Sequence, residues 1–380
     1  MIRVLHVIIG LGQGGAETML WKLLCRTDPV SFCSSVVSLT DDNTLEQRIA
    51  ALGIPVYKLG LRSMGTGLKG LGRLWHLARR LRPDLIQGWM SHGNLLGLMA
   101  RVAAPGNPAL IWGIRQSVYD LNFETPSTAR LIRLSAKLSR QPRAIVYNSH
   151  TARAQHEALG FSRLRGKIIP NGFDVSVFAP SSESRSSFRQ ELGLPESMLL
   201  VGIVGRYHPM KDHRNFIKAA RGVRGKHPQC RFVMIGPGMI WSNNELVACL
   251  KQAGIADATI LLGSREDMPK VNAALDVVAS SSFTEAFSNS IGEAMSCGVP
   301  CVVTNVGDSA LLVGDTGVVT PPRDAEALAS GINQLLELTN QDRRALGAAA
   351  RERVAAKFSL DEVVASFNSL YLSVVEEQIA

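Results

Sequence analysis

Short apolar runs alternate with amphipathic stretches along this chain, and the runs fall into two series. Val4 to Ile9, Ser35 to Leu39, Leu85 to Gly88, Leu110 to Gly113, Ala144 to Asn148 and Lys167 to Ile169 read as strands, with helical periodicity between them. The pattern restarts with Leu199 to Val204, Arg231 to Ile235, Ala258 to Leu262, Val277 to Ser280, Cys301 to Thr304 and Gly317 to Val319. Strand-helix repetition of this kind predicts βα units in parallel sheets, an α/β architecture of two Rossmann-like domains, rather than a sandwich or a helical bundle. The break between the series, Pro170-Asn171-Gly172-Phe173-Asp174 followed by Pro180 and the serines 181, 182, 184, 186 and 187, predicts a linker. The closing stretch reads as helix, break, helix, with Ser359 or Asp361 as a cap for the last one.

A chain of 380 residues with 46% hydrophobic side chains exceeds what one core usually serves, which agrees with two domains. No apolar run reaches the roughly 18 to 20 residues of a membrane helix, and the opening Val4 to Ile9 leads into a glycine turn, as a first strand does. The six cysteines (25, 33, 230, 249, 297 and 301) contain no CxxC pair and sit mostly among apolar residues, predicting buried, reduced thiols and a cytoplasmic protein.

Charge is unevenly placed. The net +9 divides into 22 Lys and Arg against 10 Asp and Glu over residues 1–175, and 19 against 22 over the remainder. No acid lies between Glu46 and Asp84, whereas Lys58, Arg62, Lys69, Arg73, Arg79, Arg80 and Arg82 do. Such a face asks for an anionic partner. Without an aromatic-interleaved basic run or a nucleic-acid module, nucleic acid fits less well than an anionic lipid surface or a polyprenyl-diphosphate acceptor. Leu71, Leu74, Trp75 and Ala78 share one helical stripe beside these arginines, and two readings stand: packing on a sheet, or peripheral contact with a membrane.

Candidate chemistry concentrates at predicted strand ends. In Phe283-Thr284-Glu285-Ala286-Phe287-Ser288-Asn289-Ser290-Ile291-Gly292-Glu293, two carboxylates flank a turn that opens a helix. A helix N-terminus offers main-chain N–H groups, here of Phe287, Ser288 and Asn289, and partial positive charge to a diphosphate, while Glu285 and Glu293 can accept hydroxyl hydrogens. That layout suits a nucleotide sugar. Gly205-Arg206-Tyr207-His208-Pro209-Met210-Lys211 puts two cations after a strand, where fixed positive charge stabilises a departing nucleoside diphosphate. Gly10-Leu11-Gly12-Gln13-Gly14-Gly15 contains GxGxxG, and with Asp41 beyond the second strand it leaves a dinucleotide reading open at that point. His92 follows the strand ending at Trp89, and Arg115 and Gln116 follow the next one, positions that could face an acceptor. No Asp-x-Asp and no ligand-spaced His and carboxylate cluster occurs, so no metal is expected.

The Glu285 to Glu293 segment through Gly298-Val299-Pro300, the Gly-Arg and Lys spacing of 205 to 211, and Pro170-Asn171-Gly172-x-Asp174 completed by Phe178 resemble retaining glycosyltransferases of the GT-B fold, group 1 or family 4. The resemblance spans nearly the whole chain. It implies two domains facing across a cleft: residues 1–172 binding the acceptor, with a final helix 363–380 packing back on them, and residues 173–362 binding the donor. It further implies that Gly14 and Gly15 approach the donor diphosphate, that Arg206 and Lys211 clamp it, that Glu285 contacts the transferred sugar and Glu293 the ribose, and that His92 lies near the reacting centre. The activity implied is metal-independent hexosyl transfer with retention, from a nucleotide sugar, with a UDP-sugar favoured, to a lipid-linked or saccharide acceptor hydroxyl in polysaccharide, lipopolysaccharide or glycolipid assembly. A sugar-nucleotide epimerase or phosphorylase of the same fold, or a catalytically silent module on a membrane, remains as the alternative. Val306-Gly307-Asp308-Ser309 departs from the family pattern, which usually has a second glycine and a glutamate there.

Overall fold

A computed structural model describes residues 1–12, 14–41, 44–60 and 64–379, with the side chains of 64–68 and 379 outside the description. Gln13 of the glycine loop and Arg62 of the basic run therefore lie outside the described residues. The chain divides into two compact units, Met1–Gly172 with Leu360–Ala380, and Phe173–Ser359.

The first unit is a seven-stranded parallel sheet of β1 (Ile2–Ile8), β2 (Phe32–Ser38), β3 (Val56–Lys58), β4 (Leu85–Trp89), β5 (Ala109–Ile114), β6 (Ala144–Tyr147) and β7 (Gly166–Ile168), ordered β3-β2-β1-β4-β5-β6-β7. Every residue of β4, β5 and β6 is buried, as expected for strands covered on both faces, and this is why those segments read as unbroken apolar runs. β3 was not anticipated: three half-buried residues at a sheet edge leave no periodicity to detect.

Helix Leu360–Ile379 belongs to this unit and closes its core. Phe367 stacks on Trp89 with centroids 6.2 Å apart, and Tyr371 meets Phe32 edge-on at 5.8 Å. Two side-chain hydrogen bonds are buried beneath it: Trp89 Nε1 donates to His6 Nδ1 at 3.3 Å, and the Tyr371 hydroxyl donates to Gln87 Oε1.

The second unit is a six-stranded parallel sheet of β8 (Leu200–Val204), β9 (Arg231–Ile235), β10 (Thr259–Leu261), β11 (Val277–Ser280), β12 (Cys301–Thr304) and β13 (Gly317–Thr320), ordered β10-β9-β8-β11-β12-β13. Apolar clusters cover both faces, one around Phe216, Phe232 and Leu246, the other around Phe173, Phe287 and Phe358.

Three expectations are corrected. The serine-rich stretch is not linker but helix Ser182–Glu191, begun by the Ser181 hydroxyl accepting from Ser184 N at 3.1 Å. It is anchored by buried Arg189, whose guanidinium meets Asp276 Oδ2 at 2.8 Å and the Pro195, Glu196 and Met198 carbonyls. The supposed single stripe splits in helix Met64–Leu81: Leu74 and Ala78 are buried, whereas Trp75 turns outward at 47% exposure. Cys25 and Cys33 are exposed, although Cys230, Cys297 and Cys301 are buried, and burial pushes the Cys230 and Cys297 thiols up to about 12.

In each sheet the strand order reverses once, between β1 and β4 and between β8 and β11. At such a reversal the loops leaving the two strands diverge and open a crevice at their C-terminal ends, where α/β sheets hold ligands.

Candidate active site

In the second unit, Arg206 and Lys211 follow β8, and Glu285, Phe287, Ser288, Asn289 and Glu293 follow β11, so all seven stand at its reversal point. Two loops are stitched together there. Ser281 Oγ donates to the Lys211 carbonyl at 2.8 Å, and Phe283 N donates to the Met210 carbonyl at 3.0 Å. The turn Pro209–Lys211 ends at Asp212, whose left-handed backbone (φ 46°) lets its side chain accept from Asn215 N at 3.2 Å and begin helix His213–Lys226. Between the loops, the Lys211 ammonium donates to Glu285 Oε2.

Glu285 is also fixed from below. Gly307 has φ +57°, and a Cβ there would stand 2.3 Å from the Glu285 carbonyl and 2.6 Å from that of Ala286. Asp308 N donates to the Ala286 carbonyl at 3.0 Å, so the segment that departs from the family pattern forms the seat of the Glu285 turn. Phe287 points into the core, its ring 6.1 Å from that of Phe173 and 5.5 Å from that of Phe358, leaving only its backbone to the crevice. Helix Asn289–Ser296 begins at Ser288 without a side-chain cap, and its first-turn N–H groups have no intrahelical acceptor. Gly292 lets this helix sit on Phe173, because a Cβ would come 2.0 Å from that ring. Glu293 is half-buried at the fifth helical position, a little over one turn in rather than the two turns expected.

Charges of both signs meet in this crevice, Arg206 and Lys211 beside Glu285 and Glu293. His208 is lowered below the usual histidine range by burial and by the charges of Arg206 and Lys211 together. His213 falls to about 4, through burial first and then through Lys211 and His208, and its ring stacks on Tyr207 at 5.2 Å. Both imidazoles are therefore neutral at pH 7, and the positive charge there belongs to the exposed Arg206 and the half-buried Lys211.

In the first unit, Gly14, Gly15 and His92 stand at the β1/β4 reversal. Helix Gly15–Arg26 starts at Gly14, where a Cβ would lie 2.1 Å from Glu17 Oε2, so that carboxylate folds over the turn. His92 is in the first turn of helix Met90–Ala103, half-buried and lowered by burial. Two glycines press this turn into the sheet: a Cβ on Gly93 would stand 2.3 Å from the Val7 carbonyl, and one on Gly88 2.5 Å from Asn94 Cα. The Asn94 amide spans to β5, accepting from Gly113 N at 3.1 Å and donating to the Gly113 carbonyl at 3.2 Å.

Arg115 corrects the reading that placed it toward an acceptor. It is buried, donating to the Ile169 carbonyl at 2.9 Å and Asn171 Oδ1 at 3.2 Å between the Trp89 and Phe367 rings, and burial pushes it down to about 10. Gln116 beside it is half-buried. Asn94, Gly307 and Gly292 were missed as supports of the site, since each is defined by a neighbour far away in sequence. Among the described residues, no group of three or more His, Cys, Asp or Glu could hold a metal ion, and no helix is long and apolar enough to cross a membrane.

Comparison with known proteins follows the same division. Residues 13–177 match the family described as Glycosyltransferase Family 4, and residues 199–338 that described as Glycosyl transferases group 1. The chain is 25% identical, over 90% of its length and 88% of the relative's, to the Escherichia coli UDP-Gal:alpha-D-GlcNAc-diphosphoundecaprenol alpha-1,3-galactosyltransferase. It is 22% identical to the putative glycosyltransferase EpsF of Bacillus subtilis, over 80% of this chain and 79% of that one. Anabaena HepE, solved in complex with UDP and glucose, superposes with a TM-score of 0.86 at 23% identity, covering 98% of this chain and all of that one, and its likeness establishes the GT-B fold.

Proposed function

This chain is a glycosyltransferase built from a family 4 domain and a group 1 domain, and we propose that its second unit holds a nucleoside-diphosphate sugar while its first presents the acceptor hydroxyl. The observation that carries this reading is the meeting, at one reversal point, of Arg206, Lys211, Glu285 and the uncapped start of helix Asn289–Ser296. Arg206, Lys211 and the main-chain N–H groups of Phe287, Ser288 and Asn289 take the diphosphate; Glu293 takes the ribose; Glu285 takes the sugar. Gly14 and Gly15 approach the diphosphate once the Glu17 carboxylate swings off the turn, and neutral His92 hydrogen-bonds sugar or acceptor.

The acceptor oxygen attacks the anomeric carbon on the face that the diphosphate leaves. The C–O bond to the β-phosphate breaks as the new glycosidic bond forms, its electron pair passes to the phosphate oxygen, and the acceptor proton goes to that oxygen. Configuration is thereby retained. Charge grows on the departing diphosphate, where Arg206 and Lys211 supply fixed positive charge without a metal. A UDP-sugar donor and a hexosyl group are supported by the names of the relatives, and a diphosphate-linked lipid saccharide as acceptor by that of the E. coli enzyme. We place the reaction at the cytoplasmic face of a membrane, in polysaccharide assembly.

Thermal-shift screening over UDP-, GDP- and ADP-sugars tests the reading, because a ligand at 100 times its Kd adds about 2.7 kcal/mol. Stabilisation confined to one nucleotide is the expected result. A flat response across the panel would remove the donor assignment.

A further inference from the structure

A groove of about 810 Å³ lies in the first unit between edge strand β3 and helix Met64–Leu81, away from the β1/β4 reversal. Lys69, Gly72, Arg73 and His76 line it from positions i, i+3, i+4 and i+7, which place them on one face of the helix. Seven residues at 1.5 Å each make this a row about 10 Å long, with Lys69 and Arg73 as its cations. Opposite stand Val56, Tyr57 and Lys58 of β3, with the Arg80 guanidinium 5.5 Å from the Tyr57 ring centroid. The helix turns Leu74 and Ala78 to the core, which leaves this basic face among those it offers outward.

The acids nearby are few. Glu46 lines the groove but is committed to Lys58 at 2.5 Å, and Asp41 Oδ1 and Arg73 Nη1 lie 4.0 and 3.7 Å from where a Cβ on Gly60 would stand, so one acid comes near Arg73. Lys69, Arg73 and His76 are exposed, with Arg73 Nη1 also donating to the Leu59 carbonyl at 3.4 Å. At Gly72 a Cβ would meet nothing within 4 Å, so the helix leaves open space in the middle of the row. Val56, Leu77 and the Tyr57 ring make the remaining wall apolar.

We propose that this groove binds the diphosphate of a lipid-linked acceptor, with Lys69 and Arg73 on the phosphates and Val56, Tyr57 and Leu77 against the first carbons of the lipid. A row of cations alone would suit any anion, and an apolar wall alone any hydrocarbon; the two facing each other select a molecule carrying both. The inference rests on the acceptor class of the proposed reaction, yet it concerns residues separate from the donor crevice.

Calorimetric titration of geranyl diphosphate into the full-length protein, with UDP present to fill the donor crevice, is the test. Binding is expected, weakened by roughly 150-fold or more in Lys69→Glu/Arg73→Glu by loss of two charged hydrogen bonds, with UDP affinity unchanged. Gly72→Glu, which puts a carboxylate into open space, should do the same with the helix otherwise untouched. No binding of geranyl diphosphate, or equal affinity in the variants, overturns the assignment. Cosedimentation with phosphatidylglycerol vesicles that these substitutions abolish, without geranyl diphosphate binding, would make the groove a reader of membrane charge and also overturn it. Should UDP fail to bind wild-type protein, the donor reading fails, and the geranyl diphosphate titration still reads the groove.

Discussion

The Lys211 ammonium and the Glu285 carboxylate, 74 residues apart in the chain, form an ion pair at the β8/β11 reversal. The cation proposed for the diphosphate is thus partly neutralised in the free protein, and the carboxylate proposed for the sugar is positioned by it. Glu285→Gln should therefore tighten binding of UDP alone by a fewfold while slowing transfer, because it removes negative charge from beside the phosphates. Lys211→Ala should weaken UDP and slow transfer together. Titration of UDP against both variants decides, and weaker UDP binding in Glu285→Gln would contradict the arrangement.

Glu293 stands at the fifth position of helix Asn289–Ser296, and its proposed partner is the donor ribose. Glu293→Ala is expected to raise the donor KM with little change in kcat, a loss of binding common to ground and transition states. Steady-state kinetics showing a fall in kcat at unchanged KM would remove that role.

Gly307 supports the Glu285 turn from a distance no side chain would permit. In Gly307→Ala the left-handed backbone costs about 1–2 kcal/mol, and the new methyl group must displace the Glu285 and Ala286 carbonyls. Transfer should fall while the variant remains folded, shown by circular dichroism beside the rate. Full activity would mean that the turn tolerates the shift.

Stability should decline in mild acid. Burial holds His6 down to about 3 and His156 and His213 down to about 4, so these rings stay neutral in the folded chain while the unfolded chain takes up protons below its ordinary value of about 6.5. The unfolded state binds more protons in that window, and the stability present above pH 6.5 is lost as pH falls toward 4, at up to roughly 1.4 kcal/mol per pH unit for each group. Urea midpoints should drop over that range, and His213→Gln should flatten the drop. A midpoint independent of pH would show that these rings are open to water when folded.

Much of this arrangement was legible in the sequence because parallel strands buried on both faces appear as apolar runs. All twelve runs correspond to strands, with ends moved by up to three residues. β3 escaped because three half-buried edge residues carry no pattern, and the serine-rich stretch misled because its helix is held by buried Arg189 and Asp276 rather than by an apolar stripe. Arg206, Lys211, Glu285 and Glu293 were singled out from local spacing and the family resemblance. Their mutual geometry was not, since the Lys211–Glu285 pair and the Gly307 support are contacts between distant segments. Arg115 shows the opposite failure: its place after β5 suggested a ligand, but the chain returning as helix Leu360–Ile379 buries it against Phe367.

The account depends on positive charge of the second unit gripping a diphosphate. Calorimetric titration of the nucleoside diphosphate that stabilises the protein most, into wild type and Arg206→Ala, measures this directly. The loss of one charged hydrogen bond predicts affinity lower by roughly 10- to 150-fold in the variant. Equal affinity in the two proteins would contradict it.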